Sequence, residues 1–102
     1  MATITITKLR CVRQQDVSGD DEPVIYLGGQ YVWEGKMDKD DWEYPNESRT
    51  FGPSIVVQLK EKNGTNSYKP LGSWTISDGA ATNKKLTASS SGYHYELFYN
   101  VT

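Results

Sequence analysis

The alternation of apolar and polar residues along the chain predicts β-strands. The clearest example is Ile55, Val57 and Leu59, which alternate with mostly polar neighbours and so place three aliphatic side chains on one face. No segment repeats apolar residues at the spacing of an amphipathic helix. We therefore expect a nearly all-β protein. The C-terminal end shows the same alternation over five apolar positions: Tyr93, Tyr95, Leu97, Tyr99 and Val101.

The first strand pattern changes parity along its length. Ile4 and Ile6 fall on one parity, whereas Leu9 and Cys11 fall on the other. Because successive side chains of a strand point to opposite faces, both pairs can be buried only if the strand is irregular between them. The sequence therefore predicts a β-bulge or bend near Thr7-Lys8.

Turn-forming residues separate the strand patterns at intervals of roughly ten residues. Gly28-Gly29 joins two short apolar runs, and two glycines that can both take positive φ predict a tight hairpin. Residues 35–46 are charged and rich in turn formers, so we expect a loop there. About eight strands at this spacing are typical of an antiparallel sandwich or barrel. We predict one all-β domain over residues 1–102.

Charge is distributed unevenly along the sequence. The segment from Asp16 to Glu47 holds ten of the thirteen carboxylates against two lysines, a net charge of −8, and the remaining residues carry +6. Like charges at this density repel one another unless a cation, a basic partner or solvent offsets them. Oxygen-rich loops suit hard cations such as Ca²⁺. The alternative is a solvated acidic loop that keeps the protein in solution.

Composition disfavours several other functions. The sequence pI of about 5.3 argues against a nucleic-acid partner. Its single histidine, His94, lies in a strand pattern with no nucleophile or second base nearby, so we expect no enzyme activity. Cys11 is the only cysteine and is expected to be a buried thiol. No apolar run approaches the ~20 residues of a membrane span, so we expect a cytoplasmic or peripheral membrane protein without a transmembrane segment.

Two loop patterns resemble the calcium loops of C2 domains. Asp16-x-x-Gly19-x-x-Glu22-Pro23-Val24-Ile25 is similar to the first loop of that family, where Asp-x-x-Gly-x-Ser-Asp-Pro precedes a strand. Glu61-x-Asn63 followed by Lys69-x-x-Gly72 is similar to the third loop. Pro45-Asn46-Glu47 with Phe51, and the final strand pattern, extend the resemblance over most of the chain.

The resemblance implies an all-β, eight-stranded antiparallel β-sandwich over residues 1–102. Its loops would gather carboxylates around Ca²⁺ at one end and then bind anionic phospholipid. The family's five ligand positions correspond here to Asp16, Glu22, Glu61, Asn63 and Lys69. Glutamate is a longer ligand and asparagine a neutral one, while a lysine at the fifth position has no acceptor atom. These replacements favour one ion over several. Asp20 and Asp21 are further candidate ligands, as are Asp38, Asp40 and Asp41 if their loop folds toward the same end.

Two other functions remain open from the sequence. Lys69 could pair with Asp16 or Glu22, which would give a metal-free domain that binds a protein partner. Alternatively, the tryptophans could form a sugar-binding platform. Trp33 and Trp74 lie beside aliphatic residues in strand patterns and are expected in the core. Trp42 lies between Asp41 and Glu43 in a predicted loop, so it is the candidate contact residue for a lipid, sugar or protein.

Overall fold

Strands account for all the regular secondary structure in the part of the chain that the structure describes. This computed structural model describes residues 1–13, 21–62 and 67–102. No helix long and apolar enough to cross a membrane is found among them. The strands are β1 (Ala2–Arg13), β2 (Pro23–Leu27), β3 (Gln30–Glu34), β4 (Trp42–Glu43), β5 (Glu47–Phe51), β6 (Ser54–Lys62), β7 (Tyr68–Ser77), β8 (Ala81–Ser90) and β9 (Tyr93–Val101).

The nine strands form two antiparallel sheets that enclose one core. The first sheet has the order β4-β1-β9-β8, and β5 also pairs with β1. The second has the order β3-β2-β6-β7. Apolar side chains from both sheets form a continuous buried cluster between them. The all-β sandwich predicted from the sequence is therefore confirmed.

One strand was not expected from the sequence. The prediction gave eight strands and treated residues 35–46 as a loop, whereas the structure adds the two-residue strand β4. In β4, Trp42 pairs with Arg10 and Glu43 pairs with Leu9 of β1. A strand of two residues has no apolar alternation to detect, so only its pairing partner identifies it.

The predicted bulge in β1 is confirmed. Its pairing with β9 shifts register between Ile6 and Lys8, which leaves Thr7 as the extra residue. The shift lets all four apolar side chains point inward, and all four are 0% exposed: Ile4, Ile6, Leu9 and Cys11. Burial of both pairs is the physical reason for the irregularity.

The hairpin and the central strand also agree with the predictions. Gly28 and Gly29 have φ of 61° and 81° and join antiparallel β2 and β3. In β6, Val57 and Leu59 are fully buried, while Val56, which precedes Val57 and points to the opposite face, is 40% exposed. Trp33 and Trp74, which were expected in the core, are only partly buried and pack against it.

The antiparallel pairing gives the sandwich two distinct ends. At one end, β1 and β6 finish while β2, β7 and β9 begin. We call this end the acidic pole and define it by its described carboxylates Asp21, Glu22, Asp38, Asp41 and Glu61. The other end carries the Gly28-Gly29 turn and the connection from β5 to β6, and we call it the opposite pole.

Candidate functional site: the acidic pole

Asp21 is a fully buried carboxylate at the start of the second sheet. It is 0% exposed, and its backbone exchanges two hydrogen bonds of 2.9 Å with Met37. The hydroxyl of Tyr95, from the other sheet, donates a hydrogen bond to Oδ2 of Asp21. A buried charge is tolerated only where polar groups meet it. This bond therefore links the two sheets through a polar contact inside the sandwich.

Glu61 is a second buried carboxylate, 1% exposed, near the end of β6. The backbone N–H of Glu22 points at this carboxylate, and its nitrogen lies 3.2 Å from both Oε1 and Oε2. Glu61 thus caps the residue that directly follows Asp21. The two buried carboxylates therefore lie at the same end of the sandwich, although they are 40 positions apart in sequence.

A third segment, around residues 37–41, closes over the same pole. The backbone N–H of Asp40 donates to Cys11 O at 2.6 Å, and that of Cys11 donates to Asp41 O at 3.0 Å. Within the segment, the N–H of Asp38 donates to the Asp41 carboxylate at 2.7 Å. The sequence left open whether this loop folds toward the other carboxylates. In the structure it does, because its backbone pairs with both Cys11 and Asp21.

The burial and the charges of the acidic pole change the pKa of Cys11. Burial raises the pKa of its thiol to about 11, a hydrogen bond with Tyr95 opposes this, and the nearby carboxylates of Asp21, Asp41 and Asp38 raise it further. The thiol is free and buried, as predicted. Burial, and then the hydrogen bond to Asp21, also raise the pKa of the Tyr95 hydroxyl. Both shifts indicate that negative charge is concentrated in a poorly solvated region.

Only some of the candidate ligands predicted from the sequence lie among the described residues. Asp21, Glu22 and Glu61 lie at the acidic pole. Three further candidates, Asp16, Asp20 and Asn63, lie outside the described residues. Among the described residues, no group of three or more histidine, cysteine, aspartate or glutamate side chains has the arrangement of a metal site.

Lys69 lies at the same pole, next to Glu61 in the pairing of β6 with β7. Its side chain is exposed. Lys69 does not pair with Glu22, since both ion pairs among residues 1–13, 21–62 and 67–102 are made by Glu96. The proposed partner Asp16 lies outside the described residues. Lys69 therefore lies beside a buried carboxylate and makes no ion pair with a described residue.

Trp42 lies in β4 and not in a loop. Its ring stacks on Phe98 with centroids 6.0 Å apart, and the Arg10 guanidinium lies 5.3 Å from its centroid. The side chain is still 40% exposed. Trp42 thus packs along the outer face of the first sheet, where part of its surface remains available for contact.

The apolar alternation of the last strand correctly predicts that Tyr95 is buried. It does not predict that the Tyr95 hydroxyl reaches Asp21, 74 positions away. One signal was present, because a buried tyrosine needs a hydrogen-bond partner for its hydroxyl. The identity of that partner depends on which loop lies over the start of β9, and alternation does not specify this.

Comparison with known proteins identifies solved structures that share this fold. No sequence-family model and no curated protein matches the chain. Solved structures do match. A structure described as a C2 domain superposes with a TM-score of 0.63 and 10% identity, covering 100% of this chain and 99% of that one.

Two other matches are to domains of extended synaptotagmins. The C2A domain of plant extended synaptotagmin 1 gives a TM-score of 0.56 at 11% identity, with 98% of this chain and 90% of that one covered. The C2A and C2B domains of extended synaptotagmin 2 give 0.58 at 14% identity, covering 98% of this chain and 39% of that one. Identities this low establish the architecture alone. The chain has the fold of C2 domains.

Proposed function

We propose that this chain is a non-enzymatic C2-like module that binds Ca²⁺ at its acidic pole and, with the ion bound, docks on an anionic membrane. The observation that carries the proposal is the burial of two carboxylates, Asp21 and Glu61, at the same end of the sandwich. Residues 14–20 and 63–66, which include further candidate ligands, connect to strands at this end.

The described donors suit a hard cation. Carboxylate oxygens are the preferred ligands of Ca²⁺, and each carboxylate has about four acceptor positions. A hydrogen bond from Tyr95 to Asp21, or from Glu22 to Glu61, therefore does not by itself prevent ligation. The exposed ammonium of Lys69 lowers the local negative charge, which favours a single ion.

Membrane docking follows from the same charges. The chain has a net charge of −2, so it has no overall attraction for an anionic surface. A bound Ca²⁺ would reverse the potential at the acidic pole and offer coordination positions to lipid phosphate. Docking should therefore depend on the ion.

Calcium binding is tested by the change in melting temperature and by isothermal titration calorimetry. We expect a rise in melting temperature with Ca²⁺ that EGTA reverses, since a ligand of the folded state stabilises it. Glu61→Gln should weaken binding by about tenfold or more. Asp78→Asn, at an exposed position on the opposite pole, is the matched control and should bind normally. Absence of both heat and a melting shift at millimolar Ca²⁺ would overturn the proposal.

The membrane step is tested by co-sedimentation with phosphatidylserine vesicles. We expect binding with Ca²⁺, none with EGTA, and none to phosphatidylcholine vesicles. Binding that is unchanged by the chelator would contradict the proposed order of events.

One observation favours a second function, a metal-independent module that binds a protein. Asp21 and Glu61 already accept hydrogen bonds from protein groups, and the cationic Lys69 lies beside Glu61. In this case the two carboxylates only hold the ends of strands in place. The calcium experiments should then give no response, and EGTA should leave the fold and the stability of the wild-type protein unchanged.

A further inference from the structure

The opposite pole contains a cleft that the proposed calcium site does not use. Its volume is about 620 Å³, within the range of small-molecule sites. Strand β5 of the first sheet forms one side, and the β2–β3 turn together with β6 of the second sheet forms the other. The cleft therefore opens between two sheets, in a position where both can contribute to one ligand.

The lining of the cleft is partly apolar. Leu27, Phe51 and Ile55 contribute side chains that are 1%, 8% and 7% exposed, so they form the floor. The turn residues Gly28 and Gly29 add no side chain at the rim. At Gly28, an added Cβ would lie 3.7 Å from the side chain of Ile55, in ordinary contact. The apolar floor can thus receive a hydrocarbon body.

One cation lies in this lining. Arg49 is on β5, and the alternation of exposure along that strand places it on the same face as buried Phe51. Its Nε is buried and has no hydrogen-bond partner. Both ion pairs between described residues involve Glu96, so neither neutralises Arg49. No aspartate or glutamate is among the described residues that line the cleft.

Arg10 differs from Arg49 in the groups that surround its guanidinium. Its Nε is also buried without a partner, but its guanidinium lies 3.6 Å from the carboxylate of Glu96 and 5.3 Å from the Trp42 ring. The charge of Arg10 is therefore met by groups of the protein. Arg49, in contrast, lines a ligand-sized cleft and makes no ion pair with a described carboxylate, so its charge is available to an anionic ligand.

We propose that the cleft binds a small amphipathic carboxylate. The carboxylate accepts two parallel hydrogen bonds from the guanidinium of Arg49, and the hydrocarbon body packs on Phe51 and Ile55. Paired N–H donors in a planar fork match a carboxylate in geometry, and one cation is balanced by one negative charge. Gln30 and Gln58 belong to the same lining, and their amide groups can add polar contacts.

Decanoate is a suitable probe, with decanol as the matched ligand that lacks the charge. Both are titrated below their aggregation limits into the ¹⁵N-labelled full chain, with EGTA present so that calcium has no effect. We expect saturable decanoate binding. The changes in amide chemical shift, followed by NMR, should be concentrated at Gly28, Gly29, Thr50 and Gly52. Decanol should bind about tenfold more weakly or worse, because a hydrogen bond to a charged group is lost.

Substitutions test the assigned cation. Arg49→Gln keeps much of the side chain but removes the charge, and it should reduce decanoate affinity about tenfold while leaving decanol binding unchanged. Arg10→Gln, outside the cleft, should bind decanoate as the wild type does. Arg49→Lys keeps the charge without the fork and should give intermediate affinity; it also serves if the glutamine variant does not fold.

Several results would overturn the proposal. These are no saturable binding of decanoate, equal affinity for decanol, unchanged affinity in both Arg49 variants, or shifts located away from the cleft. Because every measurement is made in EGTA, its outcome is separate from the outcome of the calcium experiments.

Discussion

The backbone N–H of Glu22 is capped by the carboxylate of Glu61, whose two oxygens both lie 3.2 Å from the amide nitrogen. In return, the N–H of Lys62 donates to Glu22 O at 3.0 Å. Pro23, which pairs with Glu61 in the sheet, has no N–H to contribute to the ladder. The carboxylate therefore completes the pairing of β2 with β6 at the acidic pole, whether or not an ion binds there.

Replacing Glu61 with alanine should destabilise the protein by about 1–3 kcal/mol, because the N–H of Glu22 loses its acceptor. Glu61→Gln keeps a carbonyl oxygen and should cost less. Urea unfolding measures both. Asp78→Ala, at an exposed position, should stay within about 0.5 kcal/mol of the wild type. Equal stability of the Glu61→Ala and Asp78→Ala variants would show that the cap contributes nothing.

The hydrogen bond between Tyr95 and Asp21 should contribute measurably to stability. Tyr95→Phe removes the hydroxyl and leaves a buried carboxylate without that donor, which should cost about 1–3 kcal/mol. A double-mutant cycle with Asp21→Ala, which removes both acceptor oxygens, isolates the pair, and we expect a coupling energy above about 0.5 kcal/mol. Tyr44→Phe is the control, since Tyr44 is 62% exposed. Strict additivity in the cycle would mean that the two groups do not interact.

Stability should fall at alkaline pH, and Cys11 should account for part of the fall. The pKa of its thiol is raised by burial from 9.0 to about 11 in the folded protein. A group whose pKa is higher in the folded than in the unfolded protein stabilises the fold fully at pH values below its unfolded-state pKa. This stabilisation is lost as the pH rises through the folded-state pKa. The relevant window is therefore pH 9 to 11. A shift of this size corresponds to roughly 3 kcal/mol.

The variant Cys11→Ala tests this dependence. Its absolute stability will be lower because a buried side chain is shortened, so the comparison is between slopes of unfolding free energy against pH. The slope from pH 9 to 11 should be shallower in the variant than in the wild type. Parallel curves for the two proteins would exclude Cys11 as the titrating group.

The bulge in β1 predicts an asymmetry between two single-residue deletions. Deleting Thr7 removes the extra residue and leaves Ile4, Ile6, Leu9 and Cys11 in regular alternation, so all four can stay buried. The cost should be modest, about 1 kcal/mol for the lost bond from the Thr7 hydroxyl to Phe98 O. Circular dichroism and urea unfolding would report a folded protein.

Deleting Thr5 is the matched comparison within the same strand. It makes Ile4 and Ile6 adjacent in sequence, so one of the two must leave the core. We expect a loss of several kcal/mol or failure to fold, given that each is completely buried. A Thr7 deletion as damaging as the Thr5 deletion would show that the bulge is required for more than parity.

The sequence by itself determined the elements whose signal is local. Alternation identified the inward faces of β6 and β9, and two glycines located the β2–β3 turn. The conflict in parity between Ile6 and Leu9 was sufficient to place the bulge, because a strand has a fixed period of two. Such features depend on neighbours within a few residues, so they can be derived without knowing the fold.

Tertiary structure alone decided the features that join distant segments. The strand β4 exists because Trp42 and Glu43 lie alongside β1. Asp21 and Glu61 were identified as acidic candidates, but their burial and their bonds to Tyr95 and Glu22 depend on how the two sheets pack. The cleft around Arg49 likewise forms between strands of different sheets. Alternation specifies which face of a strand is inward, whereas packing in three dimensions specifies which polar groups meet there.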